Sequence, residues 1–132
     1  MSLTSTVIDV LREWYTGAAR LPVESVTLTT TTRLTAGDMS QATLSYVVSL
    51  GRNTEYSVQA VYTGSPVGTL SIQGSNDNVT YTSLAGLDVN ITSAGNTLYN
   101  LSGQNYLHYK LLYTKSSGTG SLTVIDTIKG VT

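Results

Sequence analysis

The chain of 132 residues has no cysteine and no phenylalanine, only two prolines, one tryptophan and one histidine, and few charges. Without cysteine there is no disulfide framework and no thiolate metal site. No stretch approaches the roughly 18 apolar residues of a membrane span, and the start, Met-Ser-Leu-Thr-Ser, lacks the basic and then apolar pattern of a secretory leader. The expectation is therefore a protein made and kept in the cytoplasm, or leaving it by lysis or assembly, and Asn78-Val79-Thr80, Asn90-Ile91-Thr92 and Asn100-Leu101-Ser102 read as chance glycosylation triplets. At this length the chain makes one domain with a core that needs no staples.

Charge is the most informative scarcity. Charged residues form 11% of the chain and the formal net charge is -1, against about 25% charged residues in an ordinary soluble domain. Near-neutral surfaces associate. One reading is a free domain kept soluble by its hydroxyls; the sharper one is a surface covered by neighbours in an assembly, as a homo-oligomer or with other proteins. The seven Lys and Arg are scattered from Arg12 to Lys129 and form no basic stripe, which disfavours nucleic acid as a direct partner.

What the chain does have is threonine, serine and nine tyrosines, arranged with a period of two. Tyr56, Val58, Ala60 and Tyr62 alternate with Ser57, Gln59 and Thr63, the mark of a strand with one buried face. From Tyr56 to Leu84 the pattern reads as a β-hairpin turning at Gly64-Ser65-Pro66-Val67-Gly68, then a tight turn at Ser75-Asn76-Asp77-Asn78, then a third strand from Val79. Strands are also expected over Val26–Thr32, around Leu44–Leu50, over Leu87–Ile91 and Thr97–Leu101, and where Leu107, Tyr109, Leu111 and Tyr113 share one face. A last one falls at Leu122–Ile125. Turns are expected at Thr35-Ala36-Gly37-Asp38, Gly51-Arg52-Asn53, Ala94-Gly95-Asn96 and Ser102-Gly103-Gln104-Asn105. Tyr62-Thr63-Gly64-Ser65 with Leu70-Ser71-Ile72 is echoed by Tyr113-Thr114-Lys115-Ser116 with Leu122-Thr123-Val124, which reads as two similar hairpins on opposite sides of one sandwich. Eight or nine short strands at even spacing define an all-β antiparallel β-sandwich of the jelly-roll type, assigned to residues 23–132.

Residues 1–22 break this pattern. Val7, Leu11, Trp14 and Ala18 fall at helical spacing between a capping Thr6 and Gly17, and Pro22 pushes Leu21 toward an extended conformation. A helix of about three turns is marginal alone in water. It either packs on its own sandwich or serves as an N-terminal arm that places Trp14 and Tyr15 on a neighbouring subunit, both residue types favoured at interface hot spots.

Candidate chemistry is thin. His108 has no nucleophile, second histidine or carboxylate at useful spacing, so no catalytic residue is assigned and the chain reads as a non-enzyme. Asp77 with Asn76, Asn78 and Asp88 offers oxygens of the kind calcium takes, yet Asn-Asp-Asn is also what a tight turn requires; no metal or cofactor is assigned. Tyr46, Tyr56, Tyr62, Tyr109 and Tyr113 lie on alternating faces and are core candidates. Tyr81, Tyr99 and Tyr106 lie beside loops and are interface candidates, for protein or for glycan.

The stretch Val67–Leu84, with Ser75-Asn76-Asp77-Asn78 followed by Tyr81-Thr82, resembles the strand, Ser-Asn-Asp-Gly, aromatic-Thr hairpin of discoidin-like β-sandwiches, with Asn78 in the glycine place and Tyr81 in the tryptophan place. Together with Tyr109–Thr114 and Ser117–Leu122 it is similar to small virion structural proteins of tailed bacteriophages over about Tyr56–Val124. That resemblance implies a structural role in a virion: a capsid decoration or cement protein partnered by the major capsid protein, or else a tail or fibre component. It carries over no catalytic or ligand-binding residue. A carbohydrate-binding module is the rival from another class.

Overall fold

A computed structural model describes residues 26–51, 55–102 and 105–131. The N-terminal segment 1–22, with Trp14 and Tyr15, lies outside the described residues, as do parts of the turns expected at Gly51-Arg52-Asn53 and Ser102-Gly103-Gln104-Asn105.

Among the described residues nine strands follow one another: β1 (Val26–Asp38), β2 (Thr43–Ser49), β3 (Glu55–Gly64), β4 (Val67–Ser75), β5 (Thr82–Ser83), β6 (Val89–Ile91), β7 (Gly95–Asn100), β8 (His108–Ser117) and β9 (Gly120–Val131). They form two antiparallel sheets, one ordered β1-β9-β3-β7, the other β2-β8-β4 with β5 and β6 both pairing β4. The strand order is that of a jelly roll: each strand of the first sheet is joined by a short connection to the strand at the same place in the second. These four connections, β1–β2, β8–β9, β3–β4 and β6–β7, all lie at one end of the sandwich.

The alternation in the sequence sorts correctly into faces. Val58, Ala60, Tyr62 and Val124 from the first sheet meet Leu70, Ile72, Tyr109, Leu111 and Tyr113 from the second, all buried in one core with Val48, Ile91, Leu101 and Leu122. With no phenylalanine to fill it, the core takes tyrosines, several of whose hydroxyls find partners. Tyr113 Oη donates to the Val67 carbonyl at 3.2 Å, and Tyr62 Oη bonds Thr97 Oγ1 at 3.0 Å. Each such ring buries a large apolar area while its polar tip avoids the cost of an unpaired buried group.

The segment Tyr56–Ile72 is not a hairpin, and neither is Tyr113–Val124: β3 and β4 belong to different sheets, as do β8 and β9. The echo between these segments marks two corners that cross between sheets, and they are neighbours rather than occupants of opposite sides, since Ser65 N–H donates to the Thr119 carbonyl at 2.8 Å. Both strands of each pair are buried on one face, and a period of two is the same whether the next strand pairs edgewise or packs face to face. The tight approach of these corners selects glycine. A Cβ on Gly120 would sit 2.0 Å from the Thr63 carbonyl oxygen, and one on Gly118, where φ is +76°, would sit 2.0 Å from that of Ser65.

The turn expected at Thr35-Ala36-Gly37-Asp38 is also absent. β1 runs through it with register irregularities between Thr32 and Leu34 and between Leu34 and Gly37, and Ala36 takes φ of 48°. The extra residues become bulges that bend the strand, and the reversal comes one step later, over Met39–Ala42. Met39 is fully buried beneath this corner, and its N–H donates to the Gly120 carbonyl at 2.9 Å.

Candidate interaction surfaces

The long connections gather at the end opposite the corners, and the β4–β5 loop there is fixed by its own sequence. Asp77 Oδ1 accepts the N–H groups of Val79 at 2.8 Å and Thr80 at 2.7 Å and the Ser75 hydroxyl at 2.8 Å. Ser75 Oγ in turn accepts the N–H of Asn78 at 3.0 Å, and Asn78 takes the left-handed φ of 59° that asparagine tolerates. The hydrogen bonds from Val79, Thr80 and Ser75 hold the Asp77 carboxyl well below the usual carboxylate range. The Asp77 oxygens thus serve the turn, and among the described residues no group of three His, Cys, Asp or Glu side chains gathers for a metal.

This locked turn carries a pH signature. A depressed folded-state pKa contributes stability that is fully present above the ordinary aspartate value and is lost as pH falls below it toward the folded pKa. Asp38 behaves alike, held low by Ser40. We expect the Asp77 carboxyl, followed by NMR through its side-chain carbon, to remain ionised at pH 3, with the loop amides of Val79 and Thr80 keeping their shifts. Titration of Asp77 near the ordinary aspartate value of about 3.9 would contradict the turn geometry.

The turn presents side chains outward. Val79 is 81% exposed, and Tyr81, half-buried, donates its hydroxyl to Asn78 Oδ1. Lys110 Nζ lies 4.1 Å from the centre of the Tyr81 ring, a cation–π contact of about 0.5–1 kcal/mol at an exposed site. Asn76 Oδ1 accepts the Leu107 N–H at 3.1 Å, which ties this loop to the β7–β8 connection, where Tyr106 and Leu107 are 37% and 48% exposed. Tyr106 stacks edge-on against Tyr109, with centroids 6.0 Å apart, and its ring covers Gly74, where a Cβ would lie 2.9 Å away. Val79, Tyr81, Tyr106 and Leu107 thus stand on two connected loops at one end of the molecule.

Of the interface residues expected from sequence, Tyr81 and Tyr106 reach this surface and Tyr99 does not. Tyr99, next to the last residue of β7, is only 5% exposed, its hydroxyl donates to the Leu70 carbonyl at 3.4 Å, and burial pushes its phenol pKa up. The parity Thr97, Tyr99, Leu101, with Leu101 also buried, was the available signal, and nearness to a loop misleads because β7 is only six residues long. His108 is a partly exposed strand residue bonded through Nδ1 to Ser49 Oγ at 2.7 Å.

One polar constellation joins residues far apart in the sequence. Asp126, 1% exposed in the core face of β9, accepts from Arg33 Nε at 2.7 Å and from Tyr56 Oη at 3.2 Å on the same oxygen. Tyr46 and Tyr56 hydroxyls are 2.5 Å apart; because Tyr56 donates to Asp126, Tyr46 donates to Tyr56. Burial, reinforced for Tyr56 by Tyr46 and Asp126, drives both phenol pKa values upward. The chain Arg33–Asp126–Tyr56–Tyr46 spans both sheets with both phenols held protonated, so it acts as a cross-tie between them. The signals were an acid at core parity two residues after Val124 and a single charge within the Thr run of β1.

The outer face of the β1-β9-β3-β7 sheet holds a shallow groove of about 250 Å³ lined by Leu28, Ser57, Leu98, Asn100 and Thr127, with the Glu55–Lys129 ion pair (3.2 Å) at its rim. No aromatic side chain among the described residues lines it except Tyr56, whose ring belongs to the core.

These features define a jelly-roll domain whose distinctive surface is an apolar and aromatic loop end. The sequence matches no protein-family model and no curated protein. Solved structures share the fold. The SPBc2 prophage-derived protein YomS aligns with a TM-score of 0.55 at 10% identity, over 83% of this chain and 99% of that one. A Bacillus endospore appendage protein, described as forming disulfide-linked pili, aligns at 0.51 and 7% identity over 83% and 92% of the two chains. Tobacco streak virus coat protein aligns at 0.46 and 9% identity over 84% and 90%. At such identities the likeness speaks for the fold.

Proposed function

We propose that this chain is a non-enzymatic structural protein of a bacteriophage particle that binds the outside of the capsid and stabilises it by adding interface area between capsomers. The observation that supports this reading best is the loop end, where exposed Val79, Tyr106 and Leu107 and half-buried Tyr81 stand on turns braced by Asp77 and Asn76. A prebraced apolar surface loses little freedom on docking, and its aromatic members are the types that anchor interfaces. The low charge fits a surface meant to be covered. A prophage-derived protein and a pilus subunit sharing the fold are compatible with assembly. Attachment by this end, with residues 1–22 as a second contact, is the proposed mode. Against the carbohydrate-binding reading, one face of the Tyr81 ring is already taken by Lys110.

Co-sedimentation with phage heads stripped of their accessory proteins tests the proposal. Wild-type protein should pellet with the heads in high salt, since apolar contacts resist screening, and Val79→Asp with Leu107→Asp should weaken binding by tenfold or more, about 1.4 kcal/mol. Glycan-array binding by the monomer with no affinity for heads would reject it.

A further inference from the structure

We infer that β1 is a pairing edge for a second copy of this chain, joined antiparallel across a two-fold axis. β1 is an outer strand of its sheet, thirteen residues long and exposed along almost its whole length. Natural edge strands are normally blunted by charge, proline, bulges or shortness. The other edges follow that rule by length, β7 with six residues and β5 and β6 with two and three, while β2 has seven. β1 carries its bulges only beyond Thr32. Its one basic residue, Arg33, is turned onto Asp126 and does not guard the edge. Val26–Thr32 is therefore a regular, uncharged run of β-branched residues and leucine.

The hydrogen-bonding direction of each residue follows from the register. Gly120 O accepts from Met39 on the β1 side and Thr119 O accepts from Ser65 on the β3 side, so even-numbered residues of β9 bond toward β1. Their partners Thr27, Thr29 and Thr31, opposite Gly130, Ile128 and Asp126, point their N–H groups inward. Val26, Leu28, Thr30 and Thr32 consequently direct N–H and C=O away from the sheet, and among the described residues no strand pairs with that side of β1.

A second copy fits this edge because the run is complementary to itself. Placing the axis at Thr29 sets Leu28 opposite Thr30 of the other copy and Val26 opposite Thr32, each pair closing two backbone hydrogen bonds. Threonines then face threonines or aliphatic residues, pairs that favour strands, and no like charges meet. The two Leu28 side chains, each 69% exposed in the free chain, become diagonal neighbours across the axis. The result is one continuous eight-stranded sheet. Such an edge contact is smaller than a standard interface, so the dimer is concentration-dependent. This inference does not depend on capsid binding.

Sedimentation equilibrium of the full chain from low micromolar to several hundred micromolar tests it. Wild type should pass from monomer to dimer. Thr30→Pro and Leu28→Pro each delete an outward N–H while leaving the β9 ladder intact, and should stay monomeric at least tenfold further up the range with unchanged circular dichroism. Either variant suffices if the other fails to fold. Thr29→Pro, which breaks the ladder, should unfold the sheet edge. A wild type that is monomeric throughout, a folded Thr30→Pro or Leu28→Pro variant that dimerises normally, or loss of the dimer on removing residues 1–22 alone would overturn the pairing.

Discussion

Gly120→Ala should cost about 3 kcal/mol or more of folding stability, while Gly86→Ala should cost only about 1 kcal/mol. The contrast isolates the corners. Gly86 takes φ of +78° but a Cβ there meets nothing within 4 Å, so the penalty is that of a left-handed conformation alone. At Gly120 the added methyl meets the Thr63 carbonyl oxygen at 2.0 Å, an atom held by the β3–β9 ladder from Thr63↔Ser121 onward. Relief requires moving one corner away from its neighbour, and these corners are laced by Ser65 to Thr119, Met39 to Gly120 and Lys115 to Ala42. Overpacking of this kind typically costs about 1–3 kcal/mol even where side chains can yield, and here backbone must. In a domain whose total stability is about 5–15 kcal/mol, the loss should appear as a drop in melting temperature on the order of 10 °C. Equal melting of the Gly120 and Gly86 variants would refute the stacked-corner account.

The second large effect is expected at Asp126. Asp126→Ala removes the acceptor shared by Arg33 and Tyr56 and leaves the Tyr56 hydroxyl in the core with only Tyr46 beside it. Breaking a buried ion pair by deleting one partner costs about 3–5 kcal/mol, but the Arg33 side chain is 30% exposed and can turn to water, so about 3 kcal/mol is the expected loss by urea denaturation. The Arg33→Met, Asp126→Leu double variant removes both charges together with their desolvation cost, and should recover most of that stability. A double variant as unstable as Asp126→Ala would show that the site's shape, and not its charge, matters.

Much of the architecture is legible in the residues, because a period of two reports which face of a strand is buried. It identifies Tyr56, Val58, Ala60 and Tyr62, and Tyr109, Leu111 and Tyr113, as core. It is silent about partners. Nothing in the alternation of β3 and β4 tells whether they share a sheet, and Gly64-Ser65-Pro66 looks like a hairpin loop because a corner needs the same left-handed glycine, here φ of +87°. Thr35–Asp38 looked like a turn for a related reason, since bulges and turns draw on the same small residues. On the surface, Ser75–Asn78 declared its turn through side chains that bond their own backbone. Arg33 and Asp126 did not declare each other, because they stand 93 residues apart.

The place of β9 sets the order in which the molecule can be made. It is the last strand described, yet it lies between β1 and β3, with Val26 opposite Val131 and Glu55 opposite Lys129. During synthesis the first sheet stands open until Gly120–Val131 has emerged, and among the described residues β1 has no neighbour in it before then. Closing contacts so distant in sequence is slow, in the millisecond-to-second range of β-sandwiches. In a nascent chain stalled before Gly120, none of the described strands would pair with the Thr-rich β1 on either edge. The insertion of β9 is therefore the step that commits the chain to its own sandwich.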